Sequence, residues 1–118
     1  MQYMLLLYVD QVGFAKMPPE EQNKAYGAYQ SFLEALKKAG AYAASGRLQP
    51  TTTATTVRVS NNKTQVLNGP YTETKEQLGG YFLIDVADLD AAISWAARCP
   101  ASSHGTVEVR PIWAMQPS

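Results

Sequence analysis

One cysteine, Cys99, and one histidine, His104, are all the thiol and imidazole this 118-residue chain carries. An intrachain disulfide is therefore excluded, and so is a zinc site built from cysteines and histidines. A lone thiol fits a reducing cytoplasm. Charge of one sign is lacking too: ten Lys and Arg balance ten Asp and Glu. The basic residues do not cluster, so nothing in the charge pattern points to nucleic acid or an anionic membrane. No apolar run approaches the roughly 20 residues that span a bilayer. The start, Met1-Gln-Tyr-Met-Leu-Leu-Leu-Tyr, has no basic n-region or small-residue cleavage site and reads as a first strand. Gly79-Gly80 belongs to no Gly-x-Gly-x-x-Gly or P-loop pattern and leads into a strand, which points to a bulge or close backbone approach rather than a phosphate loop. No run of acids has calcium-loop spacing. The expectation is one domain over residues 1–118 with no metal, nucleotide or other cofactor.

What is present is ordinary for a globular domain, with 46% hydrophobic and 17% charged residues. Met1 to Val9 alternates Tyr3, Leu5, Leu7 and Val9 with Met4, Leu6 and Tyr8, a strand apolar on both faces. Pro18-Pro19-Glu20-Glu21 starts a helix whose stripe is Ala25, Tyr29, Phe32, Leu33 and Leu36. Lys37 and Lys38 suit its C-terminal end, and Gly40 closes it. Ala41 to Leu48 reads as a second strand, and a threonine-rich connection follows. Val57 to Val59 and Thr64 to Leu67 then flank the turn Ser60-Asn61-Asn62-Lys63 as a hairpin. A strand over Tyr81 to Val86 precedes a helix capped by Asp88, with Leu89, Ala92, Ile93 and Ala96 expected to face inward. Thr106 to Trp113 is the last strand. With the hairpin set aside as an insertion, the order is βαββαβ, a ferredoxin-like α+β fold. Two helices cover one face of such a sheet, yet the first strand and the Tyr81–Val86 strand are apolar on both. The second face therefore predicts a homodimer.

The segment Asn68-Gly-Pro-Tyr-Thr-Glu-Thr-Lys-Glu-Gln-Leu-Gly-Gly-Tyr-Phe-Leu-Ile-Asp-Val resembles the Asp-Gly-Pro-Phe signature of the YCII-related (DGPF-domain) family. Tyr3-Met-Leu-Leu-Leu-Tyr, Leu48-Gln-Pro, Thr55-Thr-Val-Arg-Val and Val107-Glu-Val-Arg-Pro-Ile extend the resemblance over nearly the whole chain. It implies a dimeric α/β barrel. It also implies kinship with a wider group that includes small-molecule enzymes using a His–Asp pair, among them a dehydrochlorinase of a chlorinated hydroquinone. This chain departs from those patterns: Asn68 stands for the signature aspartate, Tyr71 for the phenylalanine, and His104 lies in a late loop. No His–Asp pair carries over.

Candidate chemistry centres on the signature segment. Glu73 and Lys75, two apart, lie on one side if the segment is extended, as a general base and a cationic clamp, or else form a surface ion pair. Glu76 is expected to face solvent. Asn68 is first of all turn chemistry and secondly an amide that orients a ligand. Tyr71 and Tyr81 are pocket-wall or packing residues. Arg47 and Arg110 are the guanidinium candidates for anchoring a carboxylate, phosphate or phenolate. His104 reads as a solvated loop histidine and Cys99 as a small buried hydrophobe. Two functional classes follow: an enzyme acting on a small polar or aromatic molecule, or a non-catalytic metabolite-binding module using the same cleft.

Overall fold

The computed structural model describes residues 1–114. Its elements in chain order are β1 (Gln2–Val9), α1 (Gln11–Ala15), α2 (Pro19–Lys38), β2 (Tyr42–Arg47), β3 (Thr55–Ser60), β4 (Lys63–Asn68), β5 (Gln77–Asp85), α3 (Leu89–Arg98) and β6 (Thr106–Pro111). Short 3-10 turns occupy Thr51–Thr53 and Pro100–Ser103. β2, β5, β1 and β6 form one sheet in that order, with every pair antiparallel. β3 and β4 pair only with each other.

Alternation along the strands sorts the sheet into two faces. Leu5 lies opposite Phe82 and Val109, and Tyr3 opposite Ile84. These side chains meet Phe32 and Leu36 of α2 and Ala92 and Ala96 of α3 in one buried core. Phe32 packs edge-on against Phe82 at 5.0 Å between ring centroids. Pro19 opens α2 where its missing N–H costs nothing, and Gly40, at φ 71°, ends it. The other face carries Met4, Leu6, Tyr81 and Leu83, with Glu108 and Arg110 beside them. No helix of the described residues covers it, and its apolar side chains are only partly buried.

The barrel implied by the resemblance is overturned. The sheet is open, because β2 pairs with β5 alone and β6 with β1 alone. Four strands are about half the number at which a small barrel closes around its own side chains. The residues form an α+β layer of helices on one side of an open sheet, with the β3–β4 hairpin standing apart. Hence the molecule is broad and flat, 51 × 47 × 18 Å, and its 16.4 Å radius of gyration exceeds the roughly 13–14 Å of a compact chain this long.

Other differences have local causes. α1 was not anticipated; Asp10 caps it by accepting the Gly13 N–H at 3.0 Å. β5 begins at Gln77, four residues earlier than expected, because Gly79 forms a bulge against β1. The register there passes from Leu7 opposite Gly80 to Tyr8 opposite Leu78. Gly80 also lets β2 approach, since a side chain there would meet the Gly46 carbonyl at 2.9 Å. In α3 the buried stripe is Ala92 and Ala96 with Trp95 packed beside them, whereas Leu89 and Ile93 are each 49% exposed. At 100° per residue Trp95 pulls the inward direction away from Leu89 and Ile93, leaving them on the flank. The hairpin turn takes positive φ at Asn61 (50°) and Asn62 (62°), as asparagine permits.

Leu5 is fully buried between β5 and β6, so Leu5→Ala should lower unfolding free energy by about 2–5 kcal/mol in urea titrations. Burial pushes the Cys99 thiol from 9.0 up to about 11. A thiolate then forms in the unfolded chain before the folded one, so this contribution to stability is whole below pH 9 and is lost as pH rises to about 11. The alkaline fall in Tm should be shallower in Cys99→Ala.

Candidate functional site

β1 and β2 end, and β5 and β6 begin, at the same end of the sheet, so three connecting segments gather there: residues 10–18, 48–54 and 69–76. α1 ties them together. The Gln11 backbone N–H donates to Gln77 Oε1 at 3.1 Å, and Gln11 Oε1 accepts the Thr51 N–H at 3.3 Å. From α2, Gln22 Nε2 donates to the carbonyls of Phe14 (3.1 Å) and Met17 (3.2 Å), holding the exit of α1 in place. The Leu48 N–H donates to the Gly79 carbonyl at 2.9 Å, continuing β2 one step along β5.

A cleft of about 250 Å³ opens between the 3-10 turn and the segment after β4. Thr51 and Thr52 form one wall; Gly69, Pro70, Glu73, Thr74 and Gln77 form the other. The walls are braced from behind. The Gly69 N–H donates to the Ala54 carbonyl at 2.7 Å, and Thr56 Oγ1 donates to the Gly69 carbonyl at 2.8 Å. Glu73 is an exposed carboxylate on this wall. Glu76, expected in solvent, is the more enclosed acid: Thr106 Oγ1 donates to its Oε1 at 2.8 Å and Thr74 Oγ1 to its carbonyl. It anchors the segment to β6 and leaves Glu73 free to face the cleft.

On the helix-covered side of the same sheet end stands Arg47, the last residue of β2. Its guanidinium lies 4.9 Å from the Tyr26 ring centroid and 5.8 Å from that of Phe14, and those two rings meet edge to face at 5.6 Å. Nearby Tyr29 is held protonated: burial and the Cys99 sulfur raise its phenol, Arg47 lowers it, and the balance is about 12.

The other sequence-derived candidates are dispersed. Lys75 is exposed and does not line the cleft. The segment is irregular rather than extended, and among the described residues no ion pair within 4.0 Å joins Lys75 to Glu73. Asn68 ends β4 opposite Thr55 and is exposed. Tyr71 is 76% exposed, with the Arg58 guanidinium 5.6 Å from its ring. Tyr81 and Arg110 lie on the uncovered face, Tyr81 against Gly46 and Arg110 opposite Met4. His104 is exposed, its Nδ1 3.3 Å from Ser103 Oγ. Nothing in the sequence pattern singles out Gln11, Thr51, Thr74, Gln77, Phe14 and Tyr26, which the fold brings to this end. The Asp10-x-x-Gly13 capping signal would have located α1, and with it the first of them.

A larger, shallower groove between α3 and β6, about 400 Å³, is bordered by Ile93, Ala96, Val107 and Val109 and has no titratable group in its lining. Among the described residues no three His, Cys, Asp or Glu side chains gather as metal ligands, and no helix is long and apolar enough to cross a membrane.

The sequence profile of the YCII-related domain matches residues 1–116. An uncharacterized protein of Rhizobium meliloti (strain 1021) is 37% identical over 119 residues, covering 99% of this chain and 96% of that protein. Among solved structures, the fold is similar to 5-chloro-2-hydroxyhydroquinone dehydrochlorinase from Burkholderia phenoliruptrix AC1100, in complex with 2,5-dihydroxybenzoquinone. The TM-score is 0.55 at 15% identity, over 98% of this chain and 96% of the other.

If α1 organises this end of the sheet, Gln11→Ala should cost about 1 kcal/mol and speed hydrogen exchange at the Thr51 amide. Lys75→Ala should stay within about 0.5 kcal/mol of the parent. Urea titration and exchange-detected NMR check both.

Proposed function

This chain belongs to the YCII-related domain family, and on that premise we propose that it binds, and acts on, a small polar or aromatic molecule in the cleft between Thr51 and Glu73. The observation that carries the reading is the exposed Glu73 carboxylate on a wall of hydroxyl and amide groups. Braced backbone behind those groups fixes their positions before a ligand arrives. A cleft of about 250 Å³ suits one hydroxylated ring rather than a nucleotide. The similar dehydrochlorinase structure holds 2,5-dihydroxybenzoquinone, and hydroxylated rings of that size are the ligand class we propose. Glu73 is the group to accept a proton from a ligand hydroxyl. Lys75, beside the cleft, would add positive charge, and Asn68 and Tyr71 would border its outer lip.

A second reading, a binding module without catalysis, rests on one observation. The only histidine hydrogen-bonds to its neighbour Ser103 rather than to a carboxylate, so the acid–base pair of the enzymes in the wider group has no counterpart.

In solution we propose a homodimer joined through the uncovered face of the sheet. Met4, Leu6, Tyr81 and Leu83 form a contiguous apolar strip there that water would otherwise meet. Tyr81 and Arg110 would then touch a ligand only from within the interface.

Titration calorimetry with 2,5-dihydroxybenzoquinone and simple phenols tests the site. Glu73→Gln, which removes charge and almost no volume, should weaken binding about tenfold, the loss of one charge-assisted hydrogen bond, at unchanged Tm. A lowered Tm with binding intact would make Glu73 a structural residue. For the dimer, sedimentation should show a two-chain species, and Leu6→Glu should give monomer or insoluble protein. A parent chain that stays monomeric at every concentration would refute the assembly.

A further inference from the structure

Arg47 is exposed, yet its backbone and its guanidinium are both positioned by neighbouring elements. Its backbone is fixed, because β2 pairs with β5 up to Gly80 and the next N–H, that of Leu48, bonds to the Gly79 carbonyl. Its guanidinium is stationed by two rings from different helices, Phe14 of α1 and Tyr26 of α2. The rings touch each other, so the cation rests against a preassembled aromatic corner. Gln22 fixes the distance between the two helices from the other side by gripping the carbonyls at the end of α1.

The charge is left unanswered. Among the described residues the one ion pair within 4.0 Å joins the Met1 ammonium to Asp85, at the opposite end of the sheet. No carboxylate of the described residues lies within that distance of Arg47. The rings lie 4.9 and 5.8 Å from the guanidinium carbon, and among the described residues no carboxylate takes the N–H groups along its edge. That edge is the part that pairs with a planar carboxylate through two parallel hydrogen bonds. Tyr26 remains 41% exposed, offering ring surface beside the cation.

The geometry points to a carboxylate-binding site at the Arg47–Phe14–Tyr26 corner, one that takes a small monocarboxylic acid with a flat apolar body. The fork of Arg47 pairs with the carboxylate, and the exposed ring surface receives the body of the acid. The site uses no residue of the Glu73 cleft and stands whether or not that cleft binds a ligand.

Benzoate is the probe, with benzamide as its uncharged counterpart. Arginine Nε–Hε NMR spectra and titration calorimetry on the full chain give the readouts. Benzoate should shift the Arg47 Nε–Hε resonance with a Kd on the order of 1 mM, weakening as salt rises, and benzamide should leave the resonance in place. Arg47→Met should abolish binding. Arg47→Lys, which keeps charge and stem but loses the fork, should weaken binding about tenfold and guards against a folding failure in the methionine variant. Equal binding of benzamide, undiminished binding in both Arg47 variants, or no shift at ~20 mM benzoate would overturn the assignment. So would a loss in Glu73→Gln as large as that in Arg47→Met, which would put the acid in the cleft.

Discussion

The eight residue pairs that lock β1 to β5 set the position of everything else in this molecule. These two strands are the centre of the sheet, with β2 and β6 flanking them, and their inward side chains Leu5, Leu7, Phe82 and Ile84 are the floor on which α2 and α3 rest. Because both helices lie on that floor, the other side of the same strands has no cover in the chain. The ladder also carries a bulge at Gly79, two residue pairs before its end. Beyond it the backbone of β5 turns into the segment carrying Glu73 and Glu76. The ladder therefore abuts the segment that lines one wall of the cleft.

Rigidity at that end comes from polar bridges rather than from burial. Gln11 links β5 to the 3-10 turn, Gln22 holds the exit of α1, and Thr106 clasps Glu76. Each bond is worth about 1 kcal/mol in partial water, so none stabilises the domain much. Their effect is positional: they fix three connecting segments relative to one sheet end. Two candidate sites of different character result. The cleft is uncharged apart from Glu73, whereas the aromatic corner presents a cation without a carboxylate partner among the described residues.

Periodicity made most of the elements legible. Alternation in Met1–Val9, the helical stripe ending at Leu36, the Asn61-Asn62 turn and the Asp88 cap all express local physics that survives in the folded chain. What was hidden depends on tertiary contact. Leu89 and Ile93 have the spacing of an inward face, yet Trp95 decides which way α3 turns. Glu76 sits between Lys75 and Gln77 with nothing in the sequence to say that Thr106, thirty residues on, accepts the task of holding it. Arg47 looks like any charge at the end of a strand until α1 and α2 bring two rings to it. The closed barrel failed for a related reason, since sequence similarity carries strand order but not the pairing of edge strands across copies.

The central claim is that ligand chemistry belongs to the sheet end organised by α1. Backbone amide chemical-shift mapping during titration with a panel of small phenols and carboxylic acids tests it most directly. The account requires that any member that binds shift the amides of Gln11, Thr51, Glu73 and Gln77, or those of Phe14, Tyr26 and Arg47. Shifts confined to Ile93, Ala97 and Val109, in the groove between α3 and β6, would contradict it.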